Sequence, residues 1–268
     1  MKSMEKIKQL RELTGAGMVD CKKALDETQG DIEKAVEILR KKGIAKAAKR
    51  GERETNEGIV LVETNDDNTE GYMLEINAET DFVAKNEKFQ TYANDLMAIL
   101  KEKKSESKDA LMQEKMQDVT AQEVLGTLSG TIGEKMAVKD IAFLNDGAQV
   151  AAYSHLGGRI GVLVSFSAKI DETLAKDIAM HVAAASPKYL DPSEVPAEET
   201  DKEKDIYKEQ LLKEGKPENI IDNILQGKIN KYYEEVCLLK QEFIKDDKKK
   251  IEEVLGDAKI LKFIRFSL

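Results

Sequence analysis

The chain has 268 residues and a formal net charge of -9, from 42 Lys and Arg against 51 Asp and Glu; 41% of residues are hydrophobic, 35% charged and none is Trp. Two cysteines and two histidines, none at ligand spacing, exclude a disulfide framework and a four-ligand zinc domain, and no apolar run approaches the roughly 20 residues of a transmembrane helix. The start, Met1 to Lys6, carries no apolar signal region, which points to the cytoplasm, and the acidic balance argues against a nucleic-acid partner.

Residues 4–42 read as three short helices. Ile7, Leu10 and Leu13 recur at helical spacing before a stop at Gly15, a second helix over Met18–Glu27 is expected to bury Val19, Ala24 and Leu25, and Asp31 is a natural N-cap for a third with Ile32, Ala35, Val36 and Leu39 on its apolar stripe. Residues 40–54 then hold Arg40, Lys41, Lys42, Lys46, Lys49, Arg50 and Arg53. They read as a helical or flexible linker, either solvated or able to touch nucleic acid. Residues 1–56 carry 14 basic and 10 acidic groups, so the remainder of the chain is strongly acidic.

From Gly58 the period changes to that of a strand. Residues 58–64, a turn at Asn65–Asn68 and Tyr72–Asn77 make a hairpin, Glu87–Lys104 reads as a helix with Phe89, Tyr92, Leu96 and Leu100 on one face, and Met136–Leu144 is a third strand. The order then repeats about 89 residues later: a strand over Ala148–Tyr153, a Gly157-Gly158 turn, a strand over Ile160–Phe166 and a helix over Asp171–Ala185. The second copy lacks a nearby third strand, so the segment 259–268 is inferred to supply it. Residues 187–257 become an insertion, 45% charged, in which Ala197–Glu214 and Pro217–Tyr233 form an antiparallel helical hairpin. Ile206, Leu211 and Leu212 face Ile220, Ile221, Ile224, Leu225 and Ile229 across that hairpin, and Asp246–Lys250 reads as a solvated charge run. The hairpin is either a solvated pair or a dimerisation or partner-contact arm. The fold class is α+β, divided as 1–55, 56–146, 147–186 with 259–268, and the inserted 187–257.

Catalytic chemistry is not evident. His155 and His181 lack a G-x-S-x-G elbow, Gly15-Ala16-Gly17 follows a helical rather than a strand pattern, and no G-x-x-x-x-G-K-[ST] occurs. No enzyme activity, metal or cofactor is expected, and attention moves to binding surfaces. The sharpest local feature is Asn77 to Asn86, between the first hairpin and its helix, where Thr80 or Asp81 is placed to cap a turn. Phe82 there either packs inward or projects as an aromatic wedge beside Asp81.

These residues carry a resemblance. Leu10-Arg11-Glu12-Leu13-Thr14-Gly15-Ala16-Gly17-Met18-Val19-Asp20-Cys21-Lys22-Lys23-Ala24-Leu25 and Thr80-Asp81-Phe82-Val83-Ala84-Lys85-Asn86 closely resemble the bacterial elongation factor Ts family, the guanine-nucleotide exchange factors of elongation factor Tu. His155 with 159–164, and the segment 178–184, support it, and the likeness spans nearly the whole chain. It implies a ubiquitin-associated-like (UBA-like) N-terminal domain, two related core subdomains and a coiled-coil arm. It further implies a projecting Phe82, with Thr80, Asp81, Phe82 and Val83 forming a loop that disturbs the partner's Mg2+ and phosphate region so that GDP leaves. Arg11, Met18, Val19 and Lys22 match the surface that docks on the partner's G domain; His155 matches a partner-interface position, although a structural imidazole fits it as well. A homodimer through the core or the arm is a further partner that the family allows. Some members extend beyond the last core strand, and here the resemblance puts the binding on the core. Two other readings stand beside this one: a ribosome- or RNA-binding adaptor on residues 40–53, and a ubiquitin-like-binding adaptor on the first three helices, which leaves the repeat unexplained.

Overall fold

Three helices open the chain: α1 (Lys2–Thr14), α2 (Met18–Glu27) and α3 (Ile32–Ala48). The computed structural model describes all residues except Met1, Gly15 and Lys49, together with the side chains of all but Lys2, Ser3, Ile44, Lys46, Ala47, Ala48 and Asn219. The helix stop expected at Gly15, the linker residue Lys49 and the side chain of Lys46 thus lie outside the described residues. The first half of the repeat follows as β1 (Glu57–Thr64), β2 (Gly71–Ala78), α4 (Asp81–Ala84), α5 (Glu87–Lys103), α6 (Lys108–Gln113), β3 (Lys115–Met116), β4 (Val119–Thr120), α7 (Ala121–Ile132) and β5 (Met136–Leu144). The second half runs β6 (Gln149–His155), β7 (Ile160–Phe166), α8 (Glu172–Ala185), α9 (Ala197–Lys213), α10 (Glu218–Val236), β8 (Glu242–Phe243), β9 (Asp246–Lys250), α11 (Ile251–Val254) and β10 (Ile260–Ser267). Two three-stranded sheets, ordered β1-β2-β5 and β10-β7-β6, make the fold α+β, and the final strand lies beside β7.

Contacts divide the chain into two units. The first comprises residues 1–61, 72–143 and 267–268, the second residues 62–71 and 144–266. In the first unit, Ile7, Leu10, Cys21, Ala24, Leu25, Ala35 and Leu39 form the core of the three helices. Asp31 caps α3, its Oδ1 accepting from the Lys34 N–H at 3.1 Å. Val19, expected inside, is 67% exposed, and Leu13 is 64% exposed. At about 100° per residue, Val19 lies roughly 200° around the helix from Cys21, so the face carrying Cys21, Ala24 and Leu25 turns it outward.

The basic stretch continues α3 as far as Ala48, and residues 50–53 then form a turn; several of its side chains are tied to the rest of the first unit. Arg40 pairs with Glu123 at 2.8 Å and Lys42 with Glu27 at 2.7 Å, while Arg50 donates to the Ser129 carbonyl at 3.0 Å. The end of α3 packs on α7, where Gly43 and Gly130 let the backbones meet: a Cβ on Gly130 would stand 2.4 Å from the Gly43 Cα. Beneath the first sheet, Leu74 and Ile76 alternate inward from β2 against Phe89, Tyr92, Leu96 and Leu100 of α5, as the periodicity predicts.

In the second unit α8 covers β6 and β7 through Ile178, Ala179 and Val182, with Asp171 as its N-cap accepting from the Leu174 N–H at 3.0 Å. The helical hairpin of α9 and α10 buries Leu211, Ile221 and Ile229 but leaves Ile206, Leu212 and Ile220 39–48% exposed. At its base the Glu199 carboxylate accepts hydrogen bonds from the hydroxyls of Tyr189, at 2.6 Å, and Tyr232. The second inserted helix runs to Val236, past the Tyr233 that the sequence suggested, and the residues after it leave the helical pair. Leu238, Phe243, Ile251 and Leu255 return to the core of this unit, and the solvated charge run Asp246–Lys250 is a strand paired with β8, with Asp247, Lys248 and Lys249 exposed. This β8–β9 hairpin repeats the β3–β4 hairpin of the first unit, and Gln113-Glu114 with Glu123-Val124-Leu125 is echoed by Gln241-Glu242 with Glu253-Val254-Leu255.

His181 belongs to this returning segment's anchorage. Its Nε2 meets the Gln241 Oε1 at 3.0 Å and its Nδ1 accepts from the Ile244 N–H at 3.3 Å, which places the proton on Nε2. Burial holds its pKa below the ordinary value. The folded state therefore keeps a neutral ring while the unfolded chain takes up a proton below about pH 6.5. Stability is complete above that pH and falls as the medium is acidified. The urea midpoint is expected to be lower at pH 5.5 than at pH 7.5, and His181→Gln to narrow the difference.

Candidate functional site

Central strand β2 ends at Ala78, and the chain turns through Glu79 and Thr80 into the single helical turn α4. Thr80, rather than Asp81, is the cap: its backbone is extended and its Oγ1 accepts from the Val83 N–H at 3.4 Å. Val83 and Ala84 are buried, at 4% and 8% exposure, and anchor the turn in the core. Val83 is therefore not a surface residue, contrary to its expected place among the partner-binding side chains. The same turn leaves Phe82 on its outer side, 81% exposed, so the ring projects and the inward alternative fails. Beside it Asp81 forms an ion pair with Lys85 at 2.7 Å, and that hydrogen bond holds its carboxyl below the usual carboxylate range. An exposed aromatic next to an ionised carboxylate, carried on a turn whose other residues are locked, is a compact probe for another macromolecule.

A second surface lies on α1 and α2. Met18 and Val19 are 56% and 67% exposed, and Met4, which the apolar spacing does not single out, is 65% exposed. Met4, Ile7 and Met18 line a shallow apolar groove with Lys22 and Arg11 at its margins. The residues singled out on these helices are thereby gathered on one face. Met4 was findable, since it sits seven residues before Arg11 and so shares its side of α1.

His155 belongs to the other unit. It ends β6 opposite Ile160, it is exposed, and its Nδ1 lies 3.1 Å from the Tyr153 hydroxyl with the rings stacked at 5.8 Å. The turn that follows carries Leu156 at φ 52°, a left-handed conformation unusual for leucine, with its side chain 65% exposed.

Sequence reasoning also missed what holds the Phe82 turn. Glu134, just before β5, accepts from the Thr80 N–H at 3.1 Å and from its hydroxyl at 2.9 Å, and Glu79 accepts from Arg53 at 3.1 Å. Among the described residues no cluster of three or more His, Cys, Asp or Glu is arranged to hold a metal, and no helix is long and apolar enough to cross a membrane.

Comparison with known proteins agrees with this arrangement. A family model described as elongation factor TS matches residues 79–268 and one described as a UBA-like domain matches residues 1–45. The elongation factor Ts of a Nitratiruptor species is 44% identical across 99% of this chain and 92% of its own length. A projecting Asp-Phe turn, a UBA-like helical trio and a duplicated sheet-and-helix core are thus met together over almost the full sequence, and the chain belongs to the elongation factor Ts family, among the factors of translation elongation.

Proposed function

We propose that this chain binds elongation factor Tu and speeds the departure of GDP, acting by displacement and not by bond-making chemistry of its own. Tight nucleotide binding to a P-loop protein rests on phosphate contacts and Mg2+. A factor that prefers the nucleotide-free partner must weaken those contacts, and nucleotide then weakens the factor's own binding by the same ratio. The Phe82 ring, 81% exposed on an anchored turn, is the observation that carries this reading. Inserted between the partner's helices near the phosphate region, it acts as the wedge, while Asp81 exchanges Lys85 for the partner's polar groups. GTP then enters the vacated site.

The test is stopped-flow release of fluorescently labelled GDP from elongation factor Tu with and without the protein. Release faster by orders of magnitude is expected, and an unchanged rate overturns the reading. In this scheme the α1–α2 groove supplies docking. Met18→Ala is expected to raise the half-saturating concentration about tenfold, within the range of a buried interface side chain, with the maximal release rate unchanged. The reading as an RNA-binding adaptor has less to work with, because Arg40, Lys42, Arg50 and Arg53 already serve contacts within the first unit.

A further inference from the structure

We propose that Glu134, acting with Glu79, is a positioning residue for the Asp81-Phe82 turn; the inference rests on the exchange reading above. A wedge works only if its ring is held against the push of the partner, yet α4 has four residues, too few to hold its own geometry. The order comes from outside the turn. Residues Glu79-Thr80 and Glu134-Lys135 face each other as reciprocal pairs: the Glu79 carboxylate accepts the Lys135 backbone N–H at 2.5 Å, and the Glu134 carboxylate accepts the Thr80 backbone N–H at 3.1 Å.

The Thr80 hydroxyl lies in the middle of this exchange. It donates to Glu134 at 2.9 Å, which directs its lone pairs to the Val83 N–H. Glu134 thereby fixes the rotamer of the very cap that starts the turn. Carboxylate bonds to backbone N–H groups are charge-assisted and stronger than neutral ones. The brace is tied down on its far side as well. The Ser129 hydroxyl donates to the Glu134 carbonyl at 2.5 Å, and the Lys135 ammonium donates to the carbonyls of Gly51 and Arg53 at 2.8 and 2.7 Å. Arg53 closes the loop by pairing with Glu79 at 3.1 Å. The end of α7, the 50–53 segment and the Phe82 turn are one hydrogen-bonded piece, and Glu134 is the member that touches the cap.

The experiment compares full-length wild type, Glu134→Ala, Glu134→Gln, Phe82→Ala and the Glu134→Ala/Phe82→Ala double variant by labelled-GDP release at increasing factor concentration. For Glu134→Ala the maximal rate is expected to fall about tenfold, the order of loss that follows from misplacing a reacting group by a fraction of its width, with the half-saturating concentration within about twofold because docking on α1 and α2 is untouched. Glu134→Gln, which keeps one acceptor oxygen, is expected to recover most of the rate. The double variant is expected to be no slower than Phe82→Ala alone, because Glu134 acts only through the ring. A wild-type rate for Glu134→Ala, a Glu134→Gln variant no faster than Glu134→Ala, or losses that multiply in the double variant overturn the positioning role. Should Phe82→Ala itself release GDP at the wild-type rate, the wedge reading fails and this inference with it; a slow Phe82→Ala beside a normal Glu134→Ala removes this inference alone.

Discussion

Phe82→Ala is expected to slow factor-stimulated GDP release by about 30- to 100-fold, the equivalent of roughly 2–3 kcal/mol for an aromatic hot spot, while the free protein keeps its thermal midpoint within about 2 °C. The two halves of this expectation come from one observation. A ring that is 81% exposed contributes almost nothing to the core, so its removal leaves no cavity and Thr80, Val83 and Ala84 still hold the turn. All of its value is deferred to the complex, where it is desolvated. Phe82→Leu, which keeps apolar bulk without the flat ring, should fall between the two. Asp81→Ala should cost less than Phe82→Ala, because the carboxylate must first give up Lys85 and its gain in the complex is a difference between two ion pairs. A Phe82→Ala protein that exchanges within twofold of wild type would remove the wedge. One that melts well below wild type would show instead that the ring is structural.

The second large effect concerns stability. Gly130→Ala is expected to lower the free energy of unfolding by about 2 kcal/mol, the usual order for overpacking, whereas Gly43→Ala is expected to be neutral or stabilising by up to about 1 kcal/mol through helix propensity. Both glycines sit at the crossing of α3 and α7, but their geometry is unequal. A Cβ on Gly130 would stand 2.4 Å from the Gly43 Cα and 2.8 Å from its carbonyl oxygen, all backbone atoms that cannot swing aside, while a Cβ on Gly43 would find nothing nearer than 3.8 Å. Urea unfolding of the two variants decides the matter. Equal midpoints would mean that the helices do not cross as closely as described.

Much of this molecule can be read from its residues, and the parts that cannot share a cause. Period-3.6 patterns place the helices of both repeats, because each has one face in a core, and the central strands β2 and β7, buried on both faces, stand out as short apolar runs. The surface features depend instead on contacts between segments far apart in the chain. The burial of Val83 and exposure of Phe82 turn on the orientation of one helical turn, which apolar pattern alone leaves open. Glu134 looks like any charged residue before a strand until the fold brings Thr80 beside it. Gly43 and Gly130 look like helix-weakening residues until α3 and α7 cross. The basic run after Arg40 reads as a linker because its partners, Glu123, Ser129 and Glu79, are remote in sequence. The return of the chain to the core after Val236 is visible in the sequence as the echo of Gln113-Glu114 and Glu123-Val124-Leu125 at 241–255, but the exposed charges of β9 make that segment look like part of the arm.

The strand order β10-β7-β6 also has a consequence for the sequence of events during synthesis. β7 is buried at every position after Ile160 and acquires its partner β6 at once, but its other edge waits for Ile260–Ser267, with the whole helical arm made in between. During that interval a strand rich in Val and Leu presents an unpaired edge, the form most open to pairing with another chain. In the first sheet, β2 waits in the same way for β5, but over the shorter stretch from Ala78 to Met136, and nearly all of the first unit precedes Leu144. The nascent protein therefore passes through a stage with one sheet finished and the other open, and a ribosome halted within the arm would hold the chain at its most aggregation-prone.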